Sequence, residues 1–216
     1  MPTFSFGRAG AAALALVALA APAAHAQWQP RFQVEASLDH TGSASMSSVI
    51  AEAPQGGFER RQKETVRYSV GASALARIAP RTSLRVGLSL ASRGFAERTT
   101  EDGRTSENEV DFVYLGAPLT LGFNLINPGR GLKPFVEAGV VPELLVRQDE
   151  SGFDYDLRSV GLSYLVGFGV KYNLEGGRAL VLAPELRIAA RDYSHDTPGT
   201  LEFRPISTGI KLGFQF

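Results

Sequence analysis

Apolar and polar residues alternate along most of this chain, most clearly over residues 206–216. Ile206, Thr208, Ile210, Leu212, Phe214 and Phe216 fall on one face of a period-two strand, and Ser207, Gly209, Lys211, Gly213 and Gln215 on the other. One face is greasy and ends on aromatics, while its opposite holds small, polar or charged groups. Residues 160–173 repeat the division: Val160, Leu162, Tyr164, Val166, Phe168, Val170 and Tyr172 stand against Gly161, Ser163, Leu165, Gly167, Gly169, Lys171 and Asn173. The same alternation predicts further strands at 31–39, 66–78, 84–93, 113–125, 134–147 and 180–191. In all of them the charged residues keep to a single face.

The connections alternate in length. Residues 40–64, 95–109, 148–157 and 192–203 read as long polar loops, whereas 79–81, 127–131 and 175–177 are short and carry the Pro and Gly of tight turns. Eight strands joined long, short, long in turn fit a membrane barrel whose long loops face outward and whose short turns face the periplasm. The predicted fold is therefore all-β: an eight-stranded antiparallel up-and-down transmembrane β-barrel with four long outer loops and three short periplasmic turns. A soluble eight-stranded barrel would carry the opposite polarity, apolar inside and polar outside. Tyr68, Phe123, Tyr164, Phe168, Tyr172, Phe214 and Phe216 are placed to form interfacial belts. Pro118 lacks the N–H a ladder needs, so an irregularity is expected there; Pro134 and Pro142 make residues 134–147 the least regular strand.

Composition narrows the address. Residues 1–26 read as a secretory signal peptide, with Arg8 ahead of the apolar run 9–21 and Ala24-His25-Ala26 as the cleavage site. The mature barrel domain is then 27–216. The apolar run is shorter than the ~20 residues of a spanning helix, and no second long run follows it. The chain has no cysteine, so an exported protein must draw its stability from elsewhere, and a closed barrel supplies it. Without Arg8 the balance is 21 basic against 22 acidic residues, which gives no sign of a nucleic-acid partner. The bacterial outer membrane is the expected location, with outer-membrane lipid as the surroundings and a monomer as the expected state.

Three stretches also carry a resemblance. Tyr114-Leu-Gly-Ala-Pro-Leu-Thr-Leu-Gly-Phe, Leu132-Lys-Pro-Phe-Val-Glu-Ala-Gly and Ser83-Leu-Arg-Val-Gly-Leu-Ser-Leu-Ala-Ser-Arg-Gly94 resemble the PorT-like small outer-membrane β-barrel family over essentially all of the mature chain. The long first loop and Ala117, where an aliphatic residue is usual, depart from the pattern. The resemblance implies the fold and no shared catalytic residues. It also implies that Leu212, Phe214 and Phe216 belong to the signal read by the barrel-assembly machinery, with Leu212 standing where an aromatic is common.

Candidate chemistry lies on the inner face. Arg67, Arg77, Arg85, Arg93, Lys133, Arg147, Lys171, Arg187, Arg191 and Lys211 are read as inward, against Glu35, Asp39, Glu137, Glu143 and Glu185. A charge-paired plug is the main reading, because a buried charge without a partner is expensive. The inner face sums to +5, so the alternative is a narrow anion-preferring channel. The outer loops lean the other way, and Asp149, Glu150, Asp154 and Asp156 are candidates for weak binding of divalent cations. Asp192-Tyr193-Ser194-His195 brings nucleophilic residue types together, but one short loop seldom builds a triad. No cofactor is expected. A role in envelope structure or surface interaction is the principal functional reading, and an outer-membrane lipid-modifying enzyme is the remote alternative.

Overall fold

The computed structural model describes residues 30–43, 49–53, 56–101, 103–126, 131–149, 158–193 and 204–216, so the expected leader at 1–26 lies outside it. The strands in chain order are β1 (Arg31–Ser43), β2 (Val49–Ala53), β3 (Gly56–Lys63), β4 (Thr65–Arg77), β5 (Thr82–Glu101), β6 (Arg104–Gly116), β7 (Leu119–Asn124), β8 (Leu132–Asp149), β9 (Val160–Asn173), β10 (Ala179–Ala189) and β11 (Pro205–Gln215). β6 and β7 share one crossing of the wall, and β2 and β3 form an appended hairpin, which leaves eight wall strands. The wall closes on itself. β1 pairs with β11 from Gln33↔Gln215 to Ser43↔Pro205, and β5 meets β6 and β7, which both meet β8. Closure gives the backbone donors and acceptors of the wall partners within the wall, the condition for a sheet to survive in hydrocarbon.

The alternation decides which way the wall faces. On the outside Leu38 is 69 % exposed, Phe168 63 % and Leu212 62 %, while on the inside Glu143 is 2 %, Arg93 2 % and Lys211 3 % exposed. Apolar groups face the surroundings and ions lie within, the reverse of a water-soluble carrier. Phe32, Phe214 and Phe216 gather at the short-turn end, with centroid separations of 6.3 Å for Phe32–Phe216 and 6.2 Å for Phe214–Phe216. They sit beside the seam where the Phe32 N–H donates to the Phe216 carbonyl at 3.0 Å.

Two expected loops are corrected. Residues 40–64 hold the end of β1 and the β2–β3 hairpin, and residues 95–109 are the upper part of a continuous β5–β6 hairpin that turns at Gly103, where φ is +74°. β3 pairs with the top of β5 from Phe58↔Glu101 to Lys63↔Ala96, so β2, β3, β5 and β6 make a sheet that stands above the barrel. These strands escape the period-two test because above the membrane neither face needs to be apolar. β5 has 20 residues. A crossing needs about 9–11, and roughly nine more at ~3.3 Å each project about 30 Å along the strand direction.

The expectation for Pro118 holds, whereas that for Pro134 and Pro142 is corrected: β8 runs unbroken through both, in continuous register with β9 from Leu132 to Leu144, so the least regular crossing is β6–β7. The wall strand breaks at Ala117–Pro118, where the Pro118 carbonyl still accepts from Gly87 N–H at 3.1 Å and Ala117 N–H donates to Pro142 at 2.9 Å. β8 slips register against β6 between Val113↔Arg147 and Tyr114↔Leu145. That slip carries Arg147 out of the inward phase.

Candidate functional site in the lumen

Inward positions of five wall strands converge in mid-barrel. Glu35 comes from β1, Arg85 and Arg93 from β5, Glu137 and Glu143 from β8, Glu185 and Arg187 from β10, and Lys211 from β11. They form one alternating chain of charge. Arg85 Nη1 donates to both Glu35 oxygens at 2.9 and 2.7 Å, its Nε donates to Thr120 Oγ1 at 3.1 Å, and its Nη2 lies 3.2 Å from Glu137 Oε2. Lys211 Nζ donates to Glu137 Oε1 and, at 2.8 Å, to Glu185 Oε2. Arg187 Nη2 donates to Glu185 Oε1 at 2.9 Å, and its Nη1 is 3.7 Å from Glu143 Oε1. Arg93 ends the chain, with Nη2 donating to Glu143 Oε1 at 2.8 Å and Nη1 to Ser207 Oγ.

Four carboxylates thus meet four bases, and this network is neutral. Glu137 and Glu185, on strands that do not touch, share Lys211. The expected +5 of the inner face is redistributed rather than spread through the lumen. Arg67 is buried nearer the outer end, 3.0 Å from Glu109 and 3.8 Å from Asp111, and donates to the Val110 carbonyl at 3.2 Å. Three of the residues read as lumenal are exposed instead. Arg77 turns to the short-turn end and donates to the Ala79 and Pro80 carbonyls at 3.3 and 2.5 Å. Arg147 lies beyond the register slip of β8, and Arg191 lies past the end of β10, 3.4 Å from the Val160 carbonyl. Lys171 is half-buried below the network, its ammonium 5.7 Å from the Phe135 ring centroid.

Above the network the interior becomes apolar. Phe95, Val110, Phe112, Tyr114, Ala189 and Tyr193 cluster inside the outer end, with Leu145 packed against them. Tyr193 arrives from the segment after β10 and folds back into the barrel. Its ring meets Tyr114 edge-on at 5.4 Å, and its hydroxyl donates to Glu143 Oε2 and lies 2.9 Å from Ser163 Oγ. Ser163 Oγ donates to the same carboxylate oxygen at 2.7 Å. Burial, with Glu143 adding to it, pushes the Tyr193 phenol well above its ordinary range and keeps it a donor. Gly161 makes the room: a Cβ there would lie 2.4 Å from the Tyr193 ring.

Sequence reading missed this cap. Tyr193 sits in an irregular stretch with no phase to say where it points, and Phe95 opens the polar stretch 95–109 that reads as a loop. Ser194, His195, Glu150, Asp154 and Asp156 lie outside the described residues, as does the side chain of Asp149. Below the network the Gln215 amide donates to Gln33 at 2.7 Å, Gln33 donates to Glu35 at 2.6 Å, and a void of about 20 Å³ remains. That space suits about one water. Leu212 and Phe216 face outward at the end of the chain, more than half exposed, with Phe214 half-buried and stacked on Phe216.

Comparison with known proteins agrees with this architecture. Residues 26–214 match the family model described as outer membrane protein beta-barrel domain. Among solved structures, Neisserial surface protein A is 12 % identical with a TM-score of 0.56, over 86 % of this chain and 95 % of that one. The outer membrane protein OprG from Pseudomonas aeruginosa is 15 % identical with a TM-score of 0.50, over 88 % and 97 % respectively. At such identities the likeness is one of fold. A search of curated proteins finds no match.

Proposed function

The chain belongs to the outer membrane protein beta-barrel domain family and is a small protein of the bacterial outer membrane; from that premise we propose that it is a non-conducting anchor which displays a β-sheet at the cell surface. The observation that carries this reading is the lumen. A neutral chain of eight charges spans the barrel, and the Tyr193 cluster covers it on the outer side. An ion entering that path would have to break charge-assisted bonds already made, each worth several times a solvated surface pair. The surplus positive charge that favoured an anion channel lies at the ends of the barrel. The sheet of β2, β3, β5 and β6 is then the working surface, and the wall strands are its mount.

Within the family the motifs of β5, β6 to β7 and β8 favour the PorT-like group. Tyr193 serves as a plug in this reading, which takes the protein as a non-enzymatic barrel. We further read Leu212, Phe214 and Phe216 as the assembly signal, and expect Phe216→Ala to lower the heat-modifiable, folded fraction in outer membranes. Planar-bilayer recording tests the main reading. The purified protein should show no steady unitary conductance in 1 M salt, and discrete anion-selective steps would sink the idea.

A further inference from the structure

We propose that the periplasmic mouth of the barrel binds a small multivalent anion of the phosphate class, a property separate from the surface role. The mouth holds an open cavity of about 340 Å³ at the short-turn end, within the size range of small-molecule sites. Arg31, Arg77, Lys133 and Lys171 line it together with Asn124 and Asn173, and no carboxylate is among the lining residues. The contrast with mid-lumen is the key observation. There every base faces a glutamate, whereas among the described residues none of these four has an acidic partner at ion-pair distance. Glu137, whose charge reaches Lys171, is already held by Lys211 and Arg85.

The four cations also feel one another. Lys133 lies within reach of the charges of Arg31 and Arg77, and Lys171 within reach of Arg31 and Lys133. Like charges gathered in a partly enclosed space repel, and an anion placed among them removes the repulsion. Ammonium and guanidinium donors suit tetrahedral oxyanions. Arg77 is held in place by the Ala79 and Pro80 carbonyls, and Lys171 by the Phe135 ring, so part of the donor set is already oriented. Gln215, which donates to Gln33 under the ion-pair chain, lines its inner end, so the site opens toward the periplasm. Two sources offer this chemistry: soluble phosphate esters and the headgroups of anionic phospholipids in the inner leaflet.

The test uses the mature chain, residues 27–216, refolded into phosphatidylcholine nanodiscs and titrated calorimetrically with inorganic pyrophosphate. Saturable binding is expected, and Lys133→Gln/Lys171→Gln should weaken it by about tenfold or more, since each tenfold is a modest loss of charge interaction. Arg191→Gln, at the opposite end, should leave it unchanged. Repeating the titration in nanodiscs containing phosphatidylglycerol separates the sources: a large drop in apparent affinity marks the lipid headgroup as the occupant, and an unchanged affinity marks a soluble one. Absence of saturable heat in phosphatidylcholine, or equal affinity in the double variant, overturns the proposal. If the double variant fails the heat-modifiability test of folding, Lys133→Gln alone is read the same way, with a weakening of at least about threefold expected.

Discussion

At the scale of single residues, Glu143 is the most committed group in the lumen. It accepts from Arg93, Ser163 and Tyr193 and faces Arg187 at 3.7 Å, so its removal leaves the buried Arg93 guanidinium without a carboxylate and Arg187 with Glu185 alone. Glu143→Ala is expected to destabilise the barrel by about 3–5 kcal/mol, read as the shift in urea unfolding in lipid vesicles. Tyr193→Phe removes one donor and keeps the ring, and should cost about 1–3 kcal/mol in the same assay. A larger loss from the tyrosine than from the glutamate would mean that the cap, not the ion pairs, carries the stability. The two residues also differ in how visible they were beforehand. Glu143 lies in a strand, where every second residue faces inward, so its direction follows from its number. Tyr193 follows β10 in irregular backbone, and its burial depends on the hole that Gly161 leaves in a different strand.

At the scale of elements, the wall and the surface sheet answer to different rules. Wall strands must show lipid an apolar face, so Leu212→Arg should cost about 2–4 kcal/mol if the residue lies near the midplane, and less toward an interface. The β2–β3 hairpin has no such duty. Replacing residues 44–62 by a short Asn-Gly turn should leave a folded, heat-modifiable barrel, because β4 and β5 keep their pairing from Ser69↔Ala91 to Arg77↔Ser83 without it. Loss of the heat-modifiable form would show that the hairpin is part of the folding unit. Alternation alone exposes the wall strands, and Pro118 announces its break. It could not expose β2, β3 or the top of β5, because above the membrane no lipid demands one apolar face.

For the whole molecule, closure makes the lumen a shared space between strands far apart in sequence. Lys211 reaches Glu137, 74 residues away, because β8 and β11 lie on the same interior. The result is a barrel with balanced charge in the middle, an apolar cap above and a basic vestibule below. Opening it should require removing several partners together. Arg85→Ala/Glu137→Ala/Lys211→Ala should admit ions that the parent excludes, measured as new conductance in planar bilayers if the triple variant folds. Silence from a folded triple variant would place the barrier in the Tyr193 cluster instead.

Local periodicity determined the fold, because in lipid each crossing strand must alternate and each must find neighbours on both sides. It also determined most inward charges, since phase is a property of one strand alone. Pairing was a different matter. Which glutamate met which base, that Arg77, Arg147 and Arg191 left the lumen, and that Tyr193 entered it, depended on strand register and on shapes supplied by other strands. Such distances exist only after the wall has closed, and tertiary structure alone decided them.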